Sequence, residues 1–188
     1  MMPIIQHLKP ILYVKSIQDI PFEEYKKQGI KTLFFDLDNT IMSYDVKKIH
    51  PDLLLYLEKL KKDFKIVIVS NSGYKRVSFA AIDANTDFIH SAKKPFKFGY
   101  KRALKKAHSS IETSLFIGDQ LMTDILGASR MNMKAILVKP LKHRSDHFFT
   151  RTNRKIERLM LKKIAKKHPS LLNQALKDYG KDIHGLFK

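Results

Sequence analysis

A short apolar segment that ends in two carboxylates constrains the fold of this chain more than any other feature. Leu33, Phe34 and Phe35 form an unbroken apolar run, which is typical of a strand buried on both faces of a sheet. Asp36 and Asp38 follow it directly, at the strand end where open α/β sheets place their binding sites. Carboxylates this close repel each other unless a cation lies between them or one of them stays protonated. The segment therefore predicts either a charged site or, since Asp-Asn-Thr is also common in turns, a turn with a helix cap.

Composition excludes several classes of protein. The chain has 188 residues, of which 44% are hydrophobic, and this is enough for one folded domain with its own core. It has no cysteine, so disulfides, thiolate metal sites and a cysteine nucleophile are excluded. The N-terminal stretch lacks the pattern of a signal peptide, and no run reaches the ~18 apolar residues of a transmembrane helix. We expect a cytoplasmic protein, or one bound peripherally to the inner face of the cell membrane.

The charge of the chain is strongly positive and unevenly distributed. The net charge is +18, and residues 142–188, with 13 basic and 4 acidic side chains, carry half of it. A charge of this sign and size attracts polyanions, either nucleic acid or an anionic membrane surface. His143 and His147 in this stretch lack a metal-site pattern, and we interpret them as surface residues. We expect residues 1–149 to form the main domain and residues 150–188 a basic C-terminal extension.

The C-terminal extension begins with a helical pattern. Ile156, Leu159, Met160 and Ile164 recur at helical spacing, and basic residues fill most of the other positions up to Pro169. One interpretation is an ordinary helix that packs on the domain and turns a solvated basic face outwards. The other is a helix that lies on a membrane surface, since membrane-binding helices have the same pattern.

Strand-like runs alternate with helical patterns along the main domain. This alternation predicts βαβ units, and hence an α/β fold: a three-layer α/β/α sandwich around a five-stranded parallel sheet. Right-handed crossovers then place the carboxyl ends of the strands along one edge of the sheet. The strands are expected at residues 31–37, 65–70, 87–91, 114–118 and 135–138, and the helices at residues 51–62, 74–84, 98–107 and 121–131.

Polar residues also follow three of the other predicted strands. Ser70 and Asn71 follow the second strand, Lys94 follows the third, and Asp119 follows the fourth, with Asp124 five residues beyond. The spacings from Asp36 to Ser70, from Ser70 to Lys94 and from Lys94 to Asp119 are 34, 24 and 25 residues. Each is about the length of one strand and one helix. We therefore expect these side chains to converge on the edge that carries the two carboxylates.

Together these residues fit phosphoryl transfer. Asp36 can act as the nucleophile and form an aspartyl-phosphate, which splits hydrolysis into two steps. Asp38 can donate a proton to the leaving oxygen and then take one from the attacking water. Asp119, with Asp36 and a main-chain carbonyl near Asp38, can hold one Mg²⁺, a hard ion that favours carboxylate, water and phosphate oxygens. Asp124 is expected to support this metal site by orienting water or a neighbouring side chain.

The remaining candidates concern the phosphate group. Lys94 can neutralise phosphate charge and orient the nucleophile, and its neighbour Lys93 is the competing candidate. Ser70, Asn71 and Thr40 are the candidates for binding the phosphate oxygens, because hydroxyl, amide and nearby main-chain N–H groups are suitable donors. Ser70 can alternatively cap the helix that follows it, and Asn71 and Thr40 can serve local turns.

These motifs, taken in order, resemble those of the haloacid dehalogenase (HAD) superfamily. Asp36-Leu37-Asp38-Asn39-Thr40 matches its DxDxT signature, in which the second Asp is typical of phosphatases. Ser70, Lys94 and the Gly118-Asp119…Asp124 pair match its second, third and fourth motifs. The resemblance implies a HAD-like phosphatase domain, a Mg²⁺ cofactor and the residue roles given above.

A closer resemblance is to the YqeG-type members of HAD subfamily IIIA, which are bacterial proteins related to mitochondrial phosphatidylglycerophosphate phosphatases. It covers residues 8–165 and implies that the phosphate is carried on this lipid. The stretches that carry it are Leu12-Tyr13-Val14-Lys15-Ser16-Ile17, Val69-Ser70-Asn71, Lys94-Pro95 and Gly118-Asp119-Gln120-Leu121-Met122-Thr123-Asp124.

The size of the connections between motifs also bears on the substrate. The 22 residues between Asn71 and Lys94 are used by one helix and one strand, and residues 41–50 leave room only for a small flap. With so small a cap the site is expected to be open, which favours a phosphate on a large anionic partner. A lipid headgroup at an anionic membrane surface fits best, with the N-terminal segment and the basic helix as docking elements. The alternatives are a phosphatase of nucleic-acid ends or nucleotides, and a ribosome- or RNA-associated binding protein that retains the fold.

Overall fold

The structure, a computed structural model, describes residues 4–141 and 148–187. Within these residues the chain forms an α/β sandwich built on one parallel sheet, as predicted. The interpretation of His143 and His147 concerns positions outside the described residues. None of the helices in the described part combines the length and the apolar content that are needed to cross a bilayer.

The sheet has six strands in the order β1-β6-β5-β2-β3-β4, and all neighbouring pairs are parallel. The predicted count of five was therefore one too low. The additional strand, β1, has three residues and pairs with β6 at the edge, and a strand this short has no recognisable periodicity. The strands are β1 (Leu12–Val14), β2 (Thr32–Phe35), β3 (Lys65–Val69), β4 (Asp87–Ile89), β5 (Ser114–Gly118) and β6 (Lys134–Val138).

Helices cover both faces of the sheet. The predicted helix at residues 121–131 begins as a π-helical turn, Leu121–Ile125, and continues as α5. Side chains of α1, α2 and α3 belong to one hydrophobic cluster, and side chains of α4, α5, α6 and α7 belong to the other. The helices are α1 (Phe22–Lys27), α2 (Pro51–Leu60), α3 (Tyr74–Asp83), α4 (Lys97–Ala107), α5 (Leu126–Arg130), α6 (Phe148–Lys167) and α7 (Gln174–His184).

Strand β2 is the centre of the sandwich. Leu33 and Phe35 belong to the cluster on one face and Phe34 to the cluster on the other, as the alternation of side chains along a strand requires. All three are fully buried, and each contributes about 1.5–3 kcal/mol to folding. Because β2 lies between β3 and β5, its carboxyl end is surrounded by the ends of both neighbours.

The C-terminal helices pack on the same domain. Leu161 and Ile164 of α6 are buried in the second cluster together with two side chains of α7. The predicted apolar stripe of α6 was wrong at one position, since Leu159 is 65% exposed. The buried positions of α6 include Arg154 and Glu157, so the face turned towards the domain is partly charged.

Candidate active site

The carboxyl ends of the strands bring the predicted site residues together. β2 ends just before Asp36, β3 just before Ser70, and β5 just before Asp119, while the loop after β4 carries Lys94. A cavity of about 360 Å³ opens at this edge of the sheet. Its lining residues are Asp36, Asp38, Tyr44, Ser70, Asn71, Ser72, Lys94, Gln120, Thr123 and Asn153.

Three buried carboxylates and one lysine form the floor of the site. Asp36, Asp119 and Asp124 each place one oxygen so that the three atoms lie within 4.8 Å of one another. The ammonium of Lys94 donates to Asp36 Oδ1 at 2.6 Å and to Asp124 Oδ1 at 2.7 Å. Burial alone would lower the pKa of Lys94, but the two carboxylates hold it above its usual value. Lys94 is 6% exposed while Lys93 points into solvent, so Lys94 is the lysine of the site.

The same carboxylates fit a divalent metal ion. Burial raises the pKa of Asp36 well above its usual value, and although Lys94 lowers it, the charges of Asp124 and Asp119 raise it further. A cation between them would relieve this repulsion, and an all-oxygen donor set is what hard divalent cations prefer. The carboxylate of Asp38 lies outside this group of three, and a contribution of its main-chain carbonyl to a metal site stays a prediction.

Asp38 is instead held by a second set of donors. Its Oδ1 accepts from Arg76 Nε at 2.7 Å, and its Oδ2 accepts from the hydroxyls of Ser72 at 2.6 Å and Ser70 at 3.3 Å. The other guanidinium nitrogens of Arg76 donate to the main-chain oxygens of Val46 at 3.1 Å and Ser43 at 2.9 Å. Arg76 therefore ties the loop after the DxDxT motif to Asp38. Sequence reasoning missed Arg76 and Ser72, which lie beyond the second motif in a chain rich in basic residues.

Gly118 and the turn after β5 position Asp124. A Cβ on Gly118 would lie 2.5 Å from the carboxylate carbon of Asp124, so only glycine leaves room for this side chain. Asp124 Oδ2 also accepts from the main-chain N–H of Gln120 at 3.1 Å. Tyr100 braces the same turn by donating to the main-chain oxygens of Thr123 at 3.0 Å and Asp124 at 3.1 Å. Burial raises the pKa of Tyr100 well above its usual value, which keeps this donor protonated.

The three predicted phosphate-binding residues occupy different places. Ser70 lines the cavity, and its hydroxyl also accepts from the main-chain N–H of Ser72 at 3.0 Å, as in a local cap. The amide of Asn71 accepts from the main-chain N–H of Lys94 at 2.7 Å and donates to its carbonyl at 3.1 Å. Thr40 is buried outside the cavity lining, and its hydroxyl donates to Asp119 Oδ1 at 3.5 Å. Asn71 thus holds the main chain of Lys94 in place, and Thr40 contacts the carboxylate of Asp119.

The site also includes a residue from the C-terminal extension. Arg154 of α6 is buried and ion-paired with the carboxylate of Asp119, and it donates to the main-chain oxygen of Asp119 at 2.7 Å. Glu157, one turn later, accepts from the main-chain N–H groups of Leu121 at 2.7 Å and Met122 at 3.3 Å. The helix therefore fixes both Asp119 and the turn that follows it.

Glu157 is kept ionised by its neighbours. Burial would raise its pKa, but the charge of Arg154, the imidazole of His184 at 3.6 Å and a hydrogen bond from Tyr179 hold the pKa below its usual value. The Tyr179 hydroxyl donates to Glu157 Oε2 at 2.7 Å and accepts from Arg154 at 2.6 Å. Sequence reasoning assigned Arg154 to the solvated basic face. The sequence did contain one sign that this helix face is buried: Glu157 is the one acidic residue in the sequence of α6.

Comparison with known proteins identifies the family. The family model for mitochondrial PGP phosphatase matches residues 2–142. The chain belongs to this family. Probable phosphatase YqeG of Bacillus subtilis (strain 168) is 36% identical over 159 residues, which cover 84% of this chain and 92% of that protein. Phosphatidylglycerophosphate phosphatase 1, chloroplastic/mitochondrial, of Arabidopsis thaliana is 28% identical over 174 residues, and the match covers 86% of this chain but 49% of that protein.

Solved structures share the fold of this PGP phosphatase family member. The cobalt-bound deoxy-D-mannose-octulosonate 8-phosphate phosphatase (YrbI) of Haemophilus influenzae has a TM-score of 0.50 at 16% identity, over 78% of this chain and 98% of that chain. The putative HAD-hydrolase YfnB of Bacillus subtilis, bound to magnesium, has a TM-score of 0.50 at 15% identity, over 57% and 86%. The predicted HAD-like fold is confirmed, and the family match confirms a phosphatase.

Proposed function

We propose that this chain is a Mg²⁺-dependent phosphomonoester hydrolase that acts through an aspartyl-phosphate on Asp36. The observation that supports this most directly is the contact of the Lys94 ammonium with both Asp36 and Asp124, at 2.6 and 2.7 Å, on the floor of an open cavity. A carboxylate that Lys94 orients, and that a metal ion would keep ionised against the effect of burial, is suited to attack phosphorus. Bound to Asp36, Asp119 and the main-chain carbonyl of Asp38, with Asp124 in support, Mg²⁺ would supply positive charge for the phosphoryl oxygens.

The side chains divide the reaction into two steps. An oxygen of Asp36 bonds to phosphorus while the bond to the leaving oxygen breaks, and Asp38 gives its proton to that oxygen. A water molecule then attacks the phosphorus of the aspartyl-phosphate, and Asp38 takes a proton from the water. The bond between phosphorus and Asp36 breaks, which releases inorganic phosphate and restores the carboxylate of Asp36. Lys94, the hydroxyl of Ser70 and the main-chain N–H of Asn71 bind the phosphoryl oxygens in both steps.

The substrate that we propose is phosphatidylglycerophosphate, with phosphatidylglycerol as the product. Two connections border the site: residues 39–50, and the chain from Ser70 to Lys94, which contains only α3, β4 and short loops. Neither forms a separate cap, so a headgroup can enter while the rest of a lipid stays outside. The Arabidopsis relative is a phosphatase of this lipid, and the positive charge suits an anionic membrane, where the protein would bind peripherally.

One assay distinguishes this substrate from its main alternative, a phosphorylated nucleic-acid end. Phosphate release is measured in Mg²⁺ from vesicles that contain phosphatidylglycerophosphate, from a 3′-phosphorylated oligonucleotide and from an aryl phosphate. We expect the lipid to be hydrolysed with the highest kcat/KM, and turnover of the oligonucleotide alone would overturn the lipid assignment. Asp36→Asn should lower kcat at least about a thousandfold on every substrate, whereas Asp52→Asn, at an exposed position on α2, should not.

A further inference from the structure

A second concave surface adjoins the catalytic cavity. It is a groove of about 770 Å³ between α3 and the loop after the DxDxT motif. Phe79 and Ile82 of α3 form its exposed apolar wall, 58% and 73% exposed, and Met42 lies at its base. Contiguous exposed apolar surface that is bordered by polar residues is typical of interaction sites. We call this surface the α3 groove.

Lysines surround the apolar part of the α3 groove. Lys47 and Lys48 from the loop and Lys75 from α3 line it, and all three are exposed. Its acidic lining residue is Asp83, which accepts from the main-chain N–H of Ile49 at 3.2 Å. An apolar surface bordered by lysines suits a ligand that is apolar in its body and negatively charged at its head.

Arg76 joins the α3 groove to the catalytic cavity. Its side chain lines the groove, while its Nε contacts Asp38 Oδ1, which lines the cavity, at 2.7 Å. The side chain of Arg76 therefore contacts both surfaces. A molecule with its phosphate in the cavity can extend past Arg76 and place an apolar tail against Phe79 and Ile82.

We propose that the α3 groove binds an acyl chain of an anionic phospholipid and so docks the protein on a bilayer. This deepens the proposed function and rests on it for the link between the tail and the catalytic phosphate. A second copy of the chain would bring the same lysines and a net charge of +18 towards the groove, which disfavours self-association. A nucleic acid would find charge there and could stack one base on Phe79, but Ile82 offers an aliphatic surface that suits an acyl chain better.

Vesicle binding tests the docking without any need for catalysis. The full chain is sedimented with vesicles of phosphatidylcholine, with and without phosphatidylglycerol. Phe79→Gln with Ile82→Gln should lower binding to the anionic vesicles about tenfold or more, because two apolar side chains no longer leave water. The matched control is Leu55→Gln with Leu159→Gln, both of which are 65% exposed elsewhere on the surface. Unchanged binding by the groove variant, or an equal loss by the control, would overturn the proposal.

A second pair of variants tests the lysines. Lys47→Gln with Lys48→Gln should lower anionic-vesicle binding about fivefold per lysine, and Lys162→Gln with Lys163→Gln, on the exposed face of α6, should lower it less. A greater loss in the α6 pair would place the docking surface on the C-terminal helix and contradict the groove. If the groove variants lose affinity for an oligonucleotide while the wild type binds no vesicles, the ligand is nucleic acid and the proposal fails.

The docking and the proposed function can fail separately. All four variants should hydrolyse a soluble aryl phosphate at the wild-type rate, which also shows that they fold. If the groove binds vesicles but the protein does not hydrolyse phosphatidylglycerophosphate, the docking proposal is supported and the proposed substrate is wrong. If the groove variants hydrolyse that lipid with the same KM as the wild type, the proposed substrate is supported and the docking proposal is wrong.

Discussion

The guanidinium of Arg154 on α6 is ion-paired with the carboxylate of Asp119 at the end of β5, and both side chains are buried. A buried carboxylate that loses its cation is left uncompensated in a medium of low polarity. Arg154→Gln should therefore lower the free energy of unfolding by about 3–5 kcal/mol in EDTA. Mg²⁺ should restore part of this loss, since a metal ion would take over the compensation of Asp119. Urea unfolding in EDTA and in Mg²⁺ measures both effects.

The control for Arg154 is on the same helix. Arg158 is exposed, so Arg158→Gln should change the free energy of unfolding by less than about 0.5 kcal/mol in either buffer. Equal effects of the two variants would show that Arg154 contributes only surface charge. A loss in Arg154→Gln that is the same with and without Mg²⁺ would contradict its link to the metal site.

Gly118 gives a test of how closely Asp124 is positioned. A Cβ at Gly118 would lie 2.5 Å from the carboxylate carbon of Asp124, whereas a Cβ at Gly73 would meet nothing within 4 Å. Gly118→Ala should displace Asp124, lower kcat/KM at least about tenfold and destabilise the protein by about 1–3 kcal/mol. Gly73→Ala should leave kcat/KM unchanged and shift stability by less than about 1 kcal/mol. Steady-state kinetics and thermal unfolding of both variants decide the matter.

The strand-end residues were predictable because strand and helix lengths fix where the chain returns to the same edge. Asp36, Ser70, Lys94 and Asp119 lie about one βα unit apart, and the sheet brings them together at the cavity and its floor. The burial of Lys94 in place of Lys93 depends on the backbone of the turn, where Lys93 has a positive φ of 54°. That choice cannot be made from spacing alone.

Arg154 was not predictable in the same way. On α6 several basic residues alternate with apolar ones, and which face meets the domain depends on how the helix docks. The apolar pattern suggested a stripe through Leu159. In the structure the helix instead buries Arg154, which is ion-paired with Asp119, and Glu157, which accepts from the turn after β5. A tertiary contact between distant segments overrides local periodicity here.

The two adjacent lysines of the third motif allow a matched comparison. Lys94→Met removes the cation that contacts both Asp36 and Asp124, while Lys93→Met changes an exposed neighbour of the same size. We expect the first variant to lose at least about a hundredfold in kcat, and the second to keep the activity of the wild type. Phosphate release from an aryl phosphate measures kcat for both variants. Similar losses of kcat would show that Lys93 also takes part in the reaction.

Metal binding should be visible as a shift in stability. A ligand that binds only the folded state at a hundred times its Kd adds about 2.7 kcal/mol to the free energy of unfolding. Saturating Mg²⁺ should therefore raise the Tm of the wild type above its value in EDTA, and Asp119→Asn should remove most of that rise. Asp52→Asn is the control, since Asp52 is exposed on α2. The same rise in Asp119→Asn as in the wild type would exclude Asp119 as a ligand.

Glu157 makes the stability of the protein depend on pH. Its pKa is lowered in the folded state, because Arg154, the neighbouring His184 and a hydrogen bond from Tyr179 outweigh the effect of burial. A carboxyl of this kind contributes stability that is complete above its unfolded value near 4.5 and is lost as the pH falls through the folded value. Glu157→Gln should thus be less stable than the wild type by about 3 kcal/mol or more at neutral pH, and the difference should shrink below about pH 4.5.

Urea unfolding of wild type and Glu157→Gln across the acid range gives this difference directly. Glu23→Gln is the control, because Glu23 is exposed on α1 and its replacement should leave stability within about 0.5 kcal/mol of the wild type at every pH. A constant difference for Glu157→Gln would mean that folding leaves the pKa of Glu157 unchanged. A difference that grows as the pH falls from neutral to about 4.5 would mean that the carboxyl is not charged in the folded protein, because the folded state would then hold a proton that the unfolded state lacks. In that case the N–H groups of Leu121 and Met122 would be held by a neutral acceptor, and the buried network around Asp119 would carry one negative charge fewer.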